Sequence, residues 1–132
     1  MASTTAVGNG RGEVMRIEGQ AVRATIFVDG ADQWHHRPLY AEIVHRAHKL
    51  GLAGATALRG IEGFTATSPV HTPHPFPFGT HLPVVIVVVD SRPQIAAFLD
   101  SLEGVLTKGA VVLDDVEVIR YLPDSYGARQ AP

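Results

Sequence analysis

Arginine and glycine residues in the middle of the chain have the chemistry to bind a small anion. Arg59 is followed by Gly60 and Gly63, and glycine allows a backbone to approach a bound group closely. A guanidinium offers a planar set of donors to phosphate or carboxylate. We therefore predict that these three residues bind a ligand. An intersubunit salt bridge at the arginine and a bulge or tight packing at the glycines are alternative interpretations.

Two more residues extend this candidate site. Phe64 follows directly after Gly63 and could stack on a planar ring, although a core or interface aromatic is the alternative. Arg120 lies at the end of the last apolar segment and has the same ambiguity as Phe64, between a ligand contact and a core or interface residue. We add Phe64 and Arg120 to the candidate ligand-binding residues.

Seven histidines in 132 residues suggest a second kind of chemistry, because neutral imidazole is a common metal ligand. His45 and His48 are one helical turn apart, and His71 lies in a proline-rich stretch. The chain has no cysteine, so a metal would need histidine or carboxylate ligands. We predict no metal site, and keep a divalent-metal protein that uses His45, His48 and His71 as the alternative.

Catalytic groups are harder to assemble from this sequence. Asp114 and Asp115 are adjacent, so in an extended strand they point to opposite faces and cannot share one proton. Ser68 and Ser91 lack the residues of a nucleophile elbow. We predict a protein that is not an enzyme, with an enzyme acting on a small anionic substrate as an alternative.

The composition is that of one ordinary globular domain. The chain is 45% hydrophobic and 18% charged, with a formal net charge of -2, which gives no general attraction to nucleic acid. No apolar stretch approaches the ~20 residues that span a bilayer. The first residues do not resemble a secretory signal. We therefore expect a cytoplasmic protein with no nucleic-acid partner and no membrane insertion.

Four strands and two helices must position the candidate residues. Residues 22–28 and 82–89 are rich in β-branched residues, residues 55–64 resume an extended pattern, and all three segments predict strands. The last strand is predicted over residues 111–121, kinked or bulged at its two aspartates.

The helices are predicted from their end signals. The first begins at Pro38 and ends at Gly51, which can adopt the left-handed conformation. The second begins after Ser91, which with Gln94 forms a capping box, and runs to about Lys108.

The order βαββαβ predicts an α+β, ferredoxin-like fold, with a four-stranded antiparallel sheet and both helices on one face. We assign residues 21–121 to this domain, with a long loop at 65–81, and residues 1–20 and 122–132 to flexible tails. The strand at 82–89 is apolar on both sides, so the face without helices needs another cover. In so small a chain we expect this cover to be another subunit.

Four motifs resemble one known family, the domain of unknown function 190 (DUF190) family. The motifs are RPLY at residues 37–40, GLAGATALRGIEGF at 51–64, LPVVI at 82–86 and DDVEVI at 114–119. The similarity covers residues 21–121. Members of that family resemble PII signalling proteins, which implies a homotrimer of ferredoxin-like subunits whose open sheet faces pack around the three-fold axis.

The resemblance also implies a function. PII proteins bind effectors such as adenine nucleotides in clefts between subunits, near the base of a long loop that corresponds to residues 65–81. It implies a regulatory protein whose loop is ordered by the effector and docks on a partner such as a membrane transporter. Lys108 with Gly109 is the remnant of the basic phosphate-binding loop of PII proteins, and Lys108 completes the candidate set. No cofactor is certain, and Asp114 and Asp115, if they stood at that phosphate site, would argue against ATP.

Overall fold

A computed structural model describes residues 5–7, 16–65 and 81–122 of the chain. The elements in chain order are β1 (Thr5–Val7), β2 (Arg16–Asp29), β3 (Gln33–Trp34), β4 (Arg37–Pro38), α1 (Leu39–Lys49), β5 (Ala55–Arg59), β6 (Pro83–Asp90), α2 (Arg92–Ser101) and β7 (Ala110–Val118).

The main sheet has the strand order β7-β2-β6-β5, and all its pairs are antiparallel. Strand β1 pairs with the first residues of β2, and β3 with β4 form a separate two-stranded hairpin. Helix α2 contacts both central strands, β2 and β6, and helix α1 contacts β6 and its neighbour β5. The predicted ferredoxin-like fold is confirmed.

The core lies between the sheet and the helices. Every second side chain of the two central strands is buried there, including Ile26 of β2 and Ile86 of β6. Helix α1 contributes Ile43 and helix α2 contributes Phe98, both fully buried. This alternation is expected because successive side chains of a strand point to opposite faces.

The helix ends largely follow the sequence signals. The Ser91 side chain accepts a hydrogen bond from the backbone N–H of Gln94 at 3.4 Å, and Gly51 after α1 has φ +73°. Helix α2, however, ends at Ser101 and not near Lys108. The reason is Gly104, whose φ of +82° is a left-handed conformation that cannot continue a helix.

Strand β7 is continuous, and the predicted kink at its two aspartates is wrong. The register with β2 runs unbroken from Gly19 opposite Val118 to Phe27 opposite Ala110. Asp114 pairs with Arg23 at 3.1 Å, and Asp115 pairs with Arg92. Since the two carboxylates point to opposite faces and each has a cation there, the strand accommodates both without a bulge.

Regular structure begins before the predicted domain boundary at residue 21. Strand β2 starts at Arg16, and β1 pairs with it. The rest of the N-terminal segment, residues 66–80 of the long loop and residues 123–132 lie outside the described residues. The flexibility of the two tails and of the loop stays a prediction.

The sheet face opposite the helices, called the open face below, is apolar. Side chains paired across it include Phe27 of β2, Leu58 of β5 and Val112 of β7, which are 38%, 56% and 45% exposed. At one end, Ile17 and Tyr121 line a cavity of about 290 Å³ together with valines of β6. At that end, therefore, the cover comes from the chain itself, while the remainder of the face is accessible.

Candidate functional site

Four of the six predicted ligand-binding residues, Arg59, Gly60, Gly63 and Lys108, lie at one end of the sheet. Strands β2 and β5 finish at this end with Asp29 and Arg59, and strands β6 and β7 begin there with Pro83 and Ala110. The predicted loop 65–81 leaves from and returns to the same end. We call it the loop end.

Arg59 borders a groove of about 300 Å³ at the loop end, together with Gly30, Asp32 and Pro38. Its guanidinium lies 5.6 Å from the ring centre of Tyr40 and donates a long hydrogen bond of 3.4 Å to the tyrosine hydroxyl. A Cβ at Gly30 would lie 2.8 Å from the Arg59 guanidinium. The glycine therefore gives the arginine its place in the groove.

Gly60 and Gly63 pack on Pro83, the first residue of β6. The N–H of Gly60 donates to the Pro83 carbonyl at 2.7 Å, and added Cβ atoms at Gly60 and Gly63 would lie 3.3 and 3.2 Å from the proline ring. Gly63 also has φ +146°. These contacts give both glycines a packing role at the base of the loop, which matches the alternative interpretation of tight packing. Contact with a ligand stays a prediction.

Lys108 reaches the same groove from the connection before β7. Its ammonium lies 3.3 Å from the carboxylate of Asp32. The next residue, Gly109, has φ +102°, and a Cβ there would lie 2.2 Å from the carbonyl oxygen of Phe27. This close approach holds the Lys108 connection against the end of β2, so the position of the lysine is fixed by the backbone that follows it.

Sequence reasoning missed the acidic groups of the loop end. Asp29 is buried, accepts a hydrogen bond from the N–H of Ala31 at 2.8 Å, and lies 3.3 Å from Nδ1 of His81. Asp32 pairs with Lys108, as described above. The Asp29-Gly30 pair signals a turn in the sequence, but only the fold shows that this turn borders Arg59.

The remaining two candidates are placed differently. Phe64 is 80% exposed, so it is not a core residue of this chain. Arg120 follows Val118, at the opposite end of the sheet from Arg59. Within one chain, Arg120 therefore does not join the loop-end residues.

At the end of the sheet opposite the loop end, hydrogen bonds connect several elements to one another. Asp90 is buried and accepts hydrogen bonds from the N–H groups of Ala53 at 2.9 Å and Ser91 at 2.7 Å. Burial raises the pKa of the Asp90 carboxyl, and the two backbone donors oppose the increase. The Tyr121 hydroxyl donates to the carbonyl of Ala53 at 3.1 Å.

Two of the three histidines of the metal hypothesis fall within the described residues. His45 and His48 are both exposed on α1, and His71 lies outside the described residues. Within residues 5–7, 16–65 and 81–122, no three His, Asp or Glu side chains form a group that could hold a metal ion.

Asp114 and Asp115 do not lie beside Lys108, so they give no reason to disfavour ATP there. Both lie in the middle of β7 and are paired with arginines, well away from Lys108 in the strand direction. The carboxylate that borders the groove is that of Asp32. Neither of the two described helices is long and apolar enough to cross a membrane.

A ferredoxin-like sheet whose long β5–β6 connection leaves from the loop end defines the PII-like class of fold. Two solved structures of CPII, a nitrogen regulatory PII-like protein from Thiomonas intermedia K12, share it. The structure with ADP, AMP and bicarbonate has a TM-score of 0.53 and 16% identity, covering 78% of this chain and 97% of CPII. The structure with ADP, AMP and acetate has a TM-score of 0.56 and 14% identity, covering 77% and 91%.

The chain belongs to the DUF190 family, described as uncharacterized ACR, whose model matches residues 21–118. A relative from Aquifex aeolicus (strain VF5), a UPF0166 protein, is 34% identical over 94 residues, which cover 71% of this chain and 89% of the relative. The predicted family is confirmed.

Proposed function

We propose that this protein is a PII-like regulator without enzymatic activity, which binds a small anionic effector at the loop end and thereby changes its docking to a partner protein. The effector class that we favour is an adenine nucleotide. Regulation of a partner such as a membrane transporter is part of the proposal.

The observation that carries this proposal is that Arg59 lines a groove at the base of the long loop and that Lys108 pairs with Asp32, which lines the same groove. Two cations from separate connections can neutralise the charges of one phosphate or carboxylate group. Among the described residues, Arg59 contacts a tyrosine and no carboxylate. It is therefore the cation available to a ligand, and Lys108 becomes available when it leaves Asp32.

The ligands of CPII support the choice of effector. That protein was solved with ADP and AMP together with bicarbonate or acetate. A nucleotide and a small carboxylate both carry oxygens that suit a guanidinium. CPII and this chain share little sequence identity, so the ligands of CPII serve here as a choice of compounds to test.

Assembly as a homotrimer is proposed from the open face. Large apolar side chains such as Leu58 and Phe27 are exposed on a continuous sheet surface, and surfaces of this kind mark contacts with other proteins.

Binding is tested by calorimetric titration of the full chain with AMP, ADP, ATP and bicarbonate. We expect one nucleotide to bind and the Arg59→Ala and Lys108→Ala variants to weaken binding about tenfold or more. Arg92→Ala, which removes an exposed arginine from α2, is the matched control. If no nucleotide or anion binds, or if all three variants bind equally well, the proposed site is wrong.

Assembly and loop ordering need separate measurements. Light scattering should give about three times the 14.1 kDa chain mass, and a monomer would contradict the trimer. Hydrogen exchange with and without the bound nucleotide should show protection in residues 65–81. Unchanged exchange there would contradict the switch but not the binding site.

A further inference from the structure

A basic surface lies on the helix layer of the molecule, next to the groove described above, which its residues Gln33 and Pro38 also line. It consists of the β3–β4 hairpin and the exposed side of α1, residues 33–49, and we call it the histidine-rich patch. This segment holds four of the seven histidines, three arginine or lysine residues and one acid, Glu42. Its formal charge is therefore positive in a chain whose net charge is -2.

The tip of the hairpin is strained. His35 and His36 are the two central residues of the turn between β3 and β4, and their φ angles are +49° and +65°. Turns of this kind favour Asn and Gly, and each other residue costs on the order of 1 kcal/mol. Both histidine side chains are exposed. His35 offsets part of this cost by stacking on Trp34, whereas among the described residues no contact of the exposed His36 offsets it, which indicates a use outside the fold.

The patch is rigid despite this strain. The ring of His35 stacks on Trp34 with centroids 3.8 Å apart and an interplanar angle of 6°. The guanidinium groups of Arg46 and Arg37 lie 5.2 and 6.0 Å from the Trp34 ring. These cation–π contacts connect the hairpin to α1 and hold the cations in a fixed arrangement.

The acid within the patch is already neutralised. Glu42 is buried, and its two carboxylate oxygens accept hydrogen bonds from Arg37 and, at 2.8 Å, from Arg46. Arg46 also donates to the backbone carbonyl of Ser101 at the end of α2. Glu42 therefore fixes the two arginines and does not face solvent, so the exposed charge of the patch is positive.

The exposed side of α1 continues the same chemistry. His45, His48 and Lys49 are exposed, and residues three or four apart lie on one side of a helix. Together with the hairpin tip they form a surface of ring N–H and ammonium donors that carboxylates can accept from. Charged residues near the patch on other elements are Asp32 before β3, Arg59 of β5, and Asp100 and Glu103 at the end of α2.

We propose that the histidine-rich patch is a docking surface for an acidic segment of a partner protein. Its exposed groups are four imidazoles with the cations of Arg37 and Lys49, and their N–H groups donate hydrogen bonds that carboxylates accept. Such a surface suits a short run of Asp or Glu side chains better than a phosphate backbone, which proteins contact mainly with arginine and lysine.

The test uses calorimetric titration of the full chain with a decapeptide of alternating Glu and Ala at pH 7. The double variant His35→Asn/His36→Gly gives the turn its favoured residues and should melt at the same temperature or higher. We expect it to bind the peptide about tenfold more weakly than the natural chain.

Two controls separate the patch from general charge effects. Arg92→Gln removes a cation as exposed as Arg37 from another part of the helix layer, and should bind like the natural chain. A second patch variant, His48→Gln/Lys49→Gln, should also weaken binding. Equal binding by all variants, no peptide binding, or binding of a ten-nucleotide RNA in place of the peptide would overturn the proposal. Nucleotide binding at the loop end is unaffected by any of these outcomes.

Discussion

The two faces of the sheet are made from the same kinds of residue and have opposite environments. On strand β6, Val84, Ile86 and Val88 are buried beneath the helices, while Val85 and Val87 between them remain partly exposed. A single strand with apolar side chains on both faces is typical of a sheet that is covered on both sides. The helices of the chain cover one face of the sheet. The part of the other face that stays exposed is the physical basis for the proposed homotrimer.

Side chains on the two faces of the sheet contribute differently to the stability of the fold and to association between chains. A side chain on the helix face contributes to folding in every state of the molecule. A side chain on the open face contributes mainly when another surface covers it, so its effect should depend on protein concentration. The following predictions use this difference, beginning with the largest expected effect on the fold.

Ile86→Ala should have the largest effect. Ile86 is fully buried between the sheet and both helices, and removing such a side chain lowers the free energy of unfolding by about 2–5 kcal/mol. Urea unfolding monitored by circular dichroism measures the loss. Leu58→Ala on the open face is the control, and an equal loss for both variants would remove the distinction between the faces.

Threonine at neighbouring positions of β6 tests the same distinction while preserving shape. Val84→Thr places a hydroxyl in the buried core and should cost about 1–3 kcal/mol, whereas Val85→Thr on the open face should cost about 0.5 kcal/mol or less at low protein concentration. The two unfolding midpoints are compared at several concentrations. Val85→Thr should reduce the concentration dependence. A larger loss for Val85→Thr than for Val84→Thr in dilute solution contradicts the expected order.

Glu42→Gln tests the polar contacts that attach the hairpin to the helix layer. The guanidinium of Arg46 beside the Glu42 carboxylate lowers the pKa of this carboxyl below its ordinary value of 4.5. Burial acts in the opposite direction, and Arg37 lowers the pKa further. A carboxyl whose pKa is lowered by folding stabilises the fold at pH values above the pKa that it has in the unfolded chain. This contribution disappears as the pH falls through the pKa of the folded state. We expect a loss of about 1–2 kcal/mol at pH 7.

The same variant should approach the stability of the natural chain as the pH drops below 4.5. Unfolding curves at pH 7, 5 and 3 measure this convergence. Glu103→Gln, at an exposed position after α2, should show no such pH dependence. A constant difference between Glu42→Gln and the natural chain at all three pH values would show that the ion pairs are not its cause.

Leu58→Glu should have the smallest effect on the fold itself. Its side chain is more than half exposed, so the free energy of unfolding of the isolated chain should change by about 0.5 kcal/mol or less. The charge would, however, lie in the middle of the proposed subunit contact, and light scattering should show a monomer. Ala96→Glu on the outer side of α2 is the control and should leave the mass unchanged.

Most of the fold could be predicted from the sequence, because strong local signals agree with the overall pattern. The β-branched run of β6, the capping box at Ser91 and the closing Gly51 each identify an element or its end. The signals that misled were local as well. Asp114 and Asp115 are typical of a break, and only the positions of their arginine partners in other elements explain the continuous strand.

The candidate site was predictable to a smaller extent. Arg59 and Lys108 were identified by residue type and by resemblance, and the fold brings them to one groove. Asp32, which pairs with Lys108, is 76 positions away in the chain and gave no local signal. Arg120 was grouped with Arg59 although the two lie at opposite ends of the sheet. Such relations depend on strand direction and register, which residue type does not determine.

The stacking of His35 on Trp34 has a practical consequence. Trp34 is the single tryptophan of the chain, so its emission reports on the hairpin tip alone. A protonated imidazole against an indole ring quenches its emission, and docking of another molecule on the hairpin would change it again. The molecule therefore contains its own optical probe, and the state of this surface can be followed in the natural chain without attaching a dye.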